Sequence, residues 1–255
     1  MRRITSLTFM FILISSNCCY ANDDMVEQCQ KVTIAGTSQW PPYTIAQERT
    51  GNIAGVGMEL ASQIFAELDV PVERVTFDDK LKMLHALSTG EIDLIVSTYN
   101  YSELSDVADL LQPAYINDPI SVAVDAKKVA ELDSWESLSG QHGIMSYAFF
   151  VDDETNSFFS KYLNIDNTGS LLNMLQFVKH KKFDYAVGSY RQLTYAIRAN
   201  NLQNVLAVAA KLSKSGDVFM AFSKTSVCHH YASFVSKRLQ DYKNNGKVDK
   251  MIKQY

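Results

Sequence analysis

The sequence predicts an α/β protein of two Rossmann-like lobes joined without a linker. Three observations lead there. Residues 31–97 alternate β-rich runs with amphipathic stretches in the order β-α-β-α-β, which implies a parallel sheet with right-handed crossovers. A second alternation of strands and helices fills residues 120–209. No Pro-, Gly- or Ser-rich tract, repeat or low-complexity segment separates the two, so the chain is expected to pass between lobes on strands. Composition agrees: 255 residues, 47% hydrophobic and 20% charged, suit one large domain or two lobes and exclude a disordered chain. The net charge is −4 and Lys and Arg form no run, which argues against nucleic acid as a partner.

From the N-terminus, Met1-Arg2-Arg3 is a positive n-region, residues 7–14 (LTFMFILI) are an apolar h-region, and residues 15–21 are small and polar, ending in Ala21. This predicts a secretory signal over residues 1–21, too short to span a membrane, and a periplasmic location for the cleaved chain. Cys18 follows Ser15-Ser16-Asn17, which lacks the aliphatic residue that lipidation sites carry. Cleavage leaves Cys29 and Cys228. An even pair in an oxidising compartment suggests one disulfide, with two buried thiols as the alternative. Cys228-His229-His230 lacks metal-ligand spacing, and neither a metal nor a cofactor is expected.

Residues 31–36 (KVTIAG) read as the first strand, and Trp40-Pro41-Pro42-Tyr43 as an extended loop carrying two aromatics. Residues 51–57 form a turn region. Val56, Leu60, Ile64 and Leu68 recur every four residues and predict a helix with one core face. Residues 72–77 are a strand. Asp78 or Asp79 then caps a helix with Leu81, Leu84 and Leu87 inward and Gly90 at its end. Strands follow at 92–97, 120–124 and 142–146, with a short turn or helical piece at 135–140. Helices are expected at 152–163 and at 170–179, the latter with Leu171, Leu172, Leu175 and Val178 inward. Then come a strand at 183–187, a helix at 191–199, and strands at 205–209 and 218–222. A helix over 226–242 gathers Val227, Tyr231, Phe234, Val235, Arg238 and Tyr242 near one face. Asn245-Gly246 breaks it before a closing helix at 248–255.

Several short segments occur together in a recognisable order. They are Gly36-Thr37 before Trp40-Pro41-Pro42-Tyr43, Gly51 and Gly55 before Glu59-Leu60, Gly90-Glu91-Ile92-Asp93-Leu94-Ile95, and Pro113-Ala114-Tyr115. Leu138-Ser139-Gly140, residues 183–187 (FDYAV), Met220-Ala221-Phe222 and residues 245–252 (NGKVDKMI) complete the set. In these the chain resembles the periplasmic solute-binding proteins of the polar-amino-acid type, bacterial solute-binding family 3, with the type II periplasmic-binding-protein fold. The resemblance implies one lobe from residues 22–117 plus 215–255 and another from 118–214, hinged on two crossing strands that close over a ligand. It puts Cys29 and Cys228 in one lobe, where a disulfide can form. It implies a monomer that takes a small polar or aromatic solute to an inner-membrane ABC permease, or presents it to a sensor receptor.

Amino-acid binders of that family pair an Arg that forks onto the ligand α-carboxylate with an Asp that accepts from its α-ammonium. Here the Arg position falls at Leu104 or Ser105, with no Arg or Lys between Lys82 and Lys127, and the Asp position falls at Ser189. The joint loss implies a changed ligand. The resemblance places Trp40 and Tyr43 on the ligand, the alternative being that they pack their own loop. It places Lys80 at the cleft as a cation, the alternative being a solvated first-turn Lys. Thr98, Tyr99 and Asn100 lie at the carboxyl end of a strand, where open α/β sheets bind ligands. Tyr99 and Tyr101 alternate in direction, so only one faces the cleft. Across it, Ser146 and Tyr147, within Ser146-Tyr147-Ala148-Phe149, stand at the family's helix-start turn, whose N–H groups receive anions. Ser189 and Tyr190 close the far wall, with Arg191 either a substitute cation or a surface residue. An enzyme of the same fold, dehydratase-like, would need an acid or base from Glu103, Asp118, Asp152 or Asp153. None has a second carboxylate or His at persuasive spacing, so no catalytic residue is assigned. A partner-binding domain with a cleft filled by its own side chains is the third reading.

Overall fold

The computed structural model describes residues 29–47, 51–149, 151–212 and 216–255; the expected signal sequence, residues 1–21, lies outside them. The chain enters on β1 (Val32–Thr37) and makes a small antiparallel sheet from β2 (Gln39–Trp40), β3 (Thr44–Gln47) and β4 (Asn52–Ala54). α1 (Val56–Ala66), β5 (Val72–Phe77), α2 (Lys80–Thr89), β6 (Leu94–Thr98), α3 (Ser102–Val107) and β7 (Ala108–Asn117) follow. Past Asp118-Pro119 the chain continues into β8 (Ile120–Asp125), β9 (His142–Ser146), α4 (Asp153–Tyr162), β10 (Asn164–Thr168), α5 (Leu171–Lys179), β11 (Tyr185–Ser189), α6 (Tyr190–Ala199) and β12 (Leu206–Val208). It returns through β13 (Asp217–Ser223) to α7 (Ala232–Asn244) and α8 (Lys247–Ile252).

Two five-stranded sheets result. The first has the order β5-β1-β6-β13-β7, and the second β10-β9-β11-β8-β12. β1, β5 and β6 run parallel, as the β-α-β-α-β reading requires, but β13 lies antiparallel between β6 and β7. The second sheet repeats the arrangement: β9, β10 and β11 are parallel, and β8 is antiparallel to β11 and β12. β6 is buried along its whole length, as a strand covered by helices on both faces must be. The sheets meet at two crossovers held together by the Asp118 N–H donating to the Gly216 carbonyl (2.7 Å) and Asn117 Nδ2 donating to the Asp217 carboxylate (3.0 Å).

Several expectations are corrected. In α2 the buried face is Met83, Ala86 and Leu87, with Leu84 half-buried, while Leu81 is 67% exposed, because a three-residue step drifts around a 3.6-residue helix. Of the two candidate caps Asp79 is the one used, accepting from the Leu81 and Lys82 N–H groups, and Gly90 ends the helix in the left-handed region as expected. In α5 Leu171, Met174, Leu175 and Val178 face inward and Leu172 is exposed. The last long helix starts at Ala232, so Val227 sits exposed in the preceding turn and the buried residues are Val235, Leu239 and Tyr242.

Cys29, ahead of β1, is bonded to Cys228, ahead of α7, across a sequence separation of 199 residues. Both are buried. A cross-link over so long a loop removes much chain entropy from the unfolded state, typically about 2–5 kcal/mol. The Cys29→Ala/Cys228→Ala protein is therefore expected to melt about 5–15 °C below the parent in calorimetry. Equal melting points would place the bond outside the stability of this lobe.

Candidate functional site

The carboxyl ends of β6 and β11 face each other across the line where the sheets meet. The loop between β2 and β3 is fixed there by α1, whose first N–H groups have no intrahelical partner. Val56 N–H donates to the Pro42 carbonyl (2.8 Å) and Gly57 N–H to the Tyr43 carbonyl (3.0 Å). Gly55 makes this approach feasible: at φ +121° a Cβ there would lie 2.3 Å from the Tyr43 oxygen. The clamp turns the rings of Trp40 and Tyr43 into the seam, where both are buried.

The seam is aromatic. Trp40 lies 5.1 Å from Tyr99, 5.4 Å from Tyr43 and 5.9 Å from Phe149, centroid to centroid, in edge-on or tilted geometry. Tyr99 and Phe149 are 6.0 Å apart, and Tyr115 closes the floor 6.2 Å from Tyr43. These separations and tilts are those preferred by aromatic pairs. Polar bonds tie the lobes around the rings. Trp40 Nε1 donates to Ser189 Oγ (3.0 Å), and Gln192 Nε2 donates to the Gln39 carbonyl (2.7 Å). Gln39 Oε1 accepts from Leu171 N–H (2.6 Å), and Ser102 N–H donates to Asp153 Oδ2 (3.0 Å).

Asp118 sits at the end of the seam, fully buried at the first crossover. Its carbonyl accepts from the Tyr99 hydroxyl (2.8 Å), and its Oδ1 accepts from Arg191 N–H at the start of α6 (3.0 Å). Oδ2 has no hydrogen-bond partner, and neither does the buried Tyr43 hydroxyl that acts on it electrostatically. Burial holds the Asp118 carboxyl above the usual carboxylate range, against the opposing pull of Ser189, of the Arg191 N–H, of the Tyr43 hydroxyl and of the Arg191 charge. Burial, helped by the Asp118 charge, likewise pushes the Tyr43 and Tyr99 phenols well up.

Of the residues expected at the site, Trp40, Tyr43, Tyr99 and Ser189 come together. Ser189 also caps α6 in a capping box with Gln192. Lys80 lies on a small pocket of about 100 Å3 at the rim, with Tyr101, Glu103 and Asp153. Thr98 is buried with its hydroxyl turned to the Tyr99 carbonyl (2.9 Å). Asn100 and Tyr147 are exposed. Ser146 is buried and accepts from the Ala148 N–H within its own turn. Tyr190 and Arg191 line a separate groove of about 620 Å3 between α6 and residues 252–255. Among the described residues no helix starts directly after Ser146, where the resemblance puts an anion site. α4 starts at Asp153, and Asp152 accepts from the Thr155 N–H at its N-terminus. Leu104, where the family's Arg would fall, is fully buried apolar core, and Ser105 is exposed. Three seam residues were not singled out as ligand contacts from sequence: Tyr115, Phe149 and Asp118. Asp118 was weighed only as an acid, and its place between two strands was the signal for more. Among the described residues no three His, Cys, Asp or Glu side chains cluster as metal ligands.

The sequence profile of the bacterial extracellular solute-binding proteins, family 3, matches residues 32–255. No curated protein sequence matches the chain significantly. Among solved structures, a mutant of ArgBP from T. maritima is similar with 18% identity and a TM-score of 0.74, over 89% of this chain and 95% of that one. The amino acid ABC transporter substrate-binding protein AbpA from Streptococcus pneumoniae, bound to L-arginine, is similar with 19% identity and a TM-score of 0.74, over 88% and 94% of the two chains. A histidine kinase sensor domain with similarity to periplasmic binding proteins shows 17% identity and a TM-score of 0.74, over 89% and 96%. At such identities these likenesses establish the fold.

The raised carboxyl of Asp118 has a consequence for pH. The folded chain binds that proton more tightly than the unfolded chain, so its contribution is present below the ordinary value near 4 and is lost as pH climbs through the raised one. Tyr43, Tyr99 and Tyr115 stay protonated throughout that window. Asp118→Asn keeps the acceptor for Arg191 N–H and removes the buried charge. Its melting temperature is expected to match the parent near pH 4 and to exceed it by about 3–6 °C at pH 8. A difference that is constant with pH would refute the assignment.

Proposed function

The chain belongs to the bacterial extracellular solute-binding proteins, family 3, and we propose that it captures one small solute between its lobes in the periplasm. It releases the solute to an inner-membrane ABC permease and works as a monomer without catalysing a reaction. One observation carries this reading: the lobes meet on a buried aromatic and hydroxyl surface that contains polar atoms with no protein partner. Asp118 Oδ2 and Tyr43 Oη are buried there without a hydrogen-bond partner, and each such atom costs about 1–3 kcal/mol until a partner is supplied. The described state is the closed one, with Trp40 and Tyr99 occupying the space a solute would take. Solute capture then requires lobe separation and a swing of the Trp40 ring away from Ser189. The exposed carboxylates at the rim, Glu103 and Asp153, are bridged by the Ser102 hydroxyl.

The self-filled seam also favours a second reading, a sensor or partner-binding domain that is closed without ligand. The similarity to a histidine kinase sensor domain supports it.

Trp40 reports on the seam directly. The other tryptophan in the sequence, Trp135, packs on Phe159 (5.1 Å) in the second lobe. In a Trp135→Phe background, refolded from denaturant to strip bound solute, Trp40 emission is expected to change saturably with one solute class at one site. At 100 times the dissociation constant that solute adds about 2.7 kcal/mol of stability. Consumption of the solute, followed by NMR, would assign an enzyme instead. Silence across amino acids, amines, carboxylates and sugars would assign the sensor reading.

A further inference from the structure

We propose that the solute is a small ammonium compound without a carboxylate, held with its cationic nitrogen at Asp118 Oδ2 among the rings of Trp40, Tyr43, Tyr99 and Phe149. The inference rests on the reading of the seam as a solute site and names the chemistry that site selects.

Three observations converge. First, Asp118 is a fully buried carboxylate that makes no ion pair among the described residues, and one of its oxygens is unpartnered. Its Oδ1 accepts from the Arg191 backbone N–H (3.0 Å). The Arg191 side chain lines the groove between α6 and residues 252–255. A buried charge of this kind calls for a cation, and a ligand is the source that the seam lacks. Second, the walls are ring systems. Their faces carry negative potential, so they attract a cation and repel an anion, most strongly for Trp and where water is excluded. Third, among the described residues no Lys or Arg side chain forms an ion pair in the seam, and the Arg191 charge acts on Asp118 only from the neighbouring groove. Leu104 stands in the core where an anchoring Arg would be, and Lys80 is out at the rim pocket. An α-amino acid would satisfy Asp118 with its ammonium and leave its own carboxylate buried and unpaired, a penalty larger than the first gain. A simple or quaternary amine meets every requirement: charge at Asp118, apolar groups against the rings, and a hydroxyl or a second N–H opposite the Tyr43 phenol.

Isothermal titration on the refolded protein tests this with tetramethylammonium, choline, ethanolamine and putrescine. The controls are 3,3-dimethyl-1-butanol, the uncharged isostere of choline, and glycine betaine, which adds a carboxylate. At least one amine is expected to bind saturably at one site per chain. The uncharged isostere and the betaine are expected to bind at least tenfold more weakly. Asp118→Asn, whose folding is verified by its melting curve, is expected to lose at least tenfold in amine affinity. Equal affinity for choline and its uncharged isostere would overturn the proposal, as would unchanged amine affinity in Asp118→Asn. If no amine binds while an amino acid, carboxylate or sugar saturates the Trp40 signal, the ammonium class fails and the solute-binding reading stands. If no compound of any class binds, both fail together.

Discussion

Asp118 is the node on which the closed arrangement depends. It lies between β7 and β8, so it belongs to the path between the lobes, and its N–H, its carbonyl and one carboxylate oxygen are each committed to a different partner. The N–H ties the first crossover to the second at Gly216, the carbonyl takes the Tyr99 hydroxyl from the first sheet, and Oδ1 takes the Arg191 N–H at the start of α6 from the second. The packing is close enough that a Cβ on Gly216 would lie 2.4 Å from the Asp118 carbonyl oxygen and 3.0 Å from the Tyr99 ring. A carboxylate at such a point is costly to bury and costly to leave half-satisfied. Its presence there couples the charge state of one residue to the relative position of two sheets.

The aromatic seam supplies the opposing energy. Trp40, Tyr43, Tyr99 and Phe149 exclude water from the same volume in which Asp118 is exposed to low dielectric. That burial stabilises closure by area and by ring geometry while raising the electrostatic cost. On the proposed reading, a solute competes with these contacts. Its apparent affinity is reduced by the fraction of molecules that are open and unfilled, so affinity and closure are set by the same few side chains.

The alternation of strands and helices was legible because it is carried by apolar periodicity over long runs, as in α1, β5 and β9. What was illegible has identifiable causes. β10 (NIDNT) is an edge strand, so its side chains are mostly outside and no apolar pattern marks it. β7 contains Pro113, and its pairing with β13 shifts register between Leu111 and Ile116, which breaks the alternation that identifies a strand. β2, β3 and β4 are two to four residues long and interrupted by Pro41-Pro42, below the length at which periodicity reads. At the candidate site, segment order points to Trp40, Tyr43, Tyr99 and Ser189, which lie together in the seam. Phe149 and Tyr115 join them only through tertiary approach, and Asn100 and Tyr147 are exposed.

The place of β13 bears on how the molecule assembles. It sits in the interior of the first sheet, hydrogen-bonded to both β6 and β7, yet it comes after every strand of the second sheet in sequence. A growing chain therefore holds β6 and β7 as open edges while residues 120–208 are made, and those residues contain the complete strand set of the second lobe. The second lobe is a contiguous unit free to form early, with local contacts. The first is a high-contact-order unit that waits for its middle strand, with its unpaired edges exposed to other chains in the interval. Truncation anywhere before Asp217 would leave a lobe with a hole in its sheet, and the end of the chain, rather than its beginning, governs when the first lobe becomes protected from aggregation.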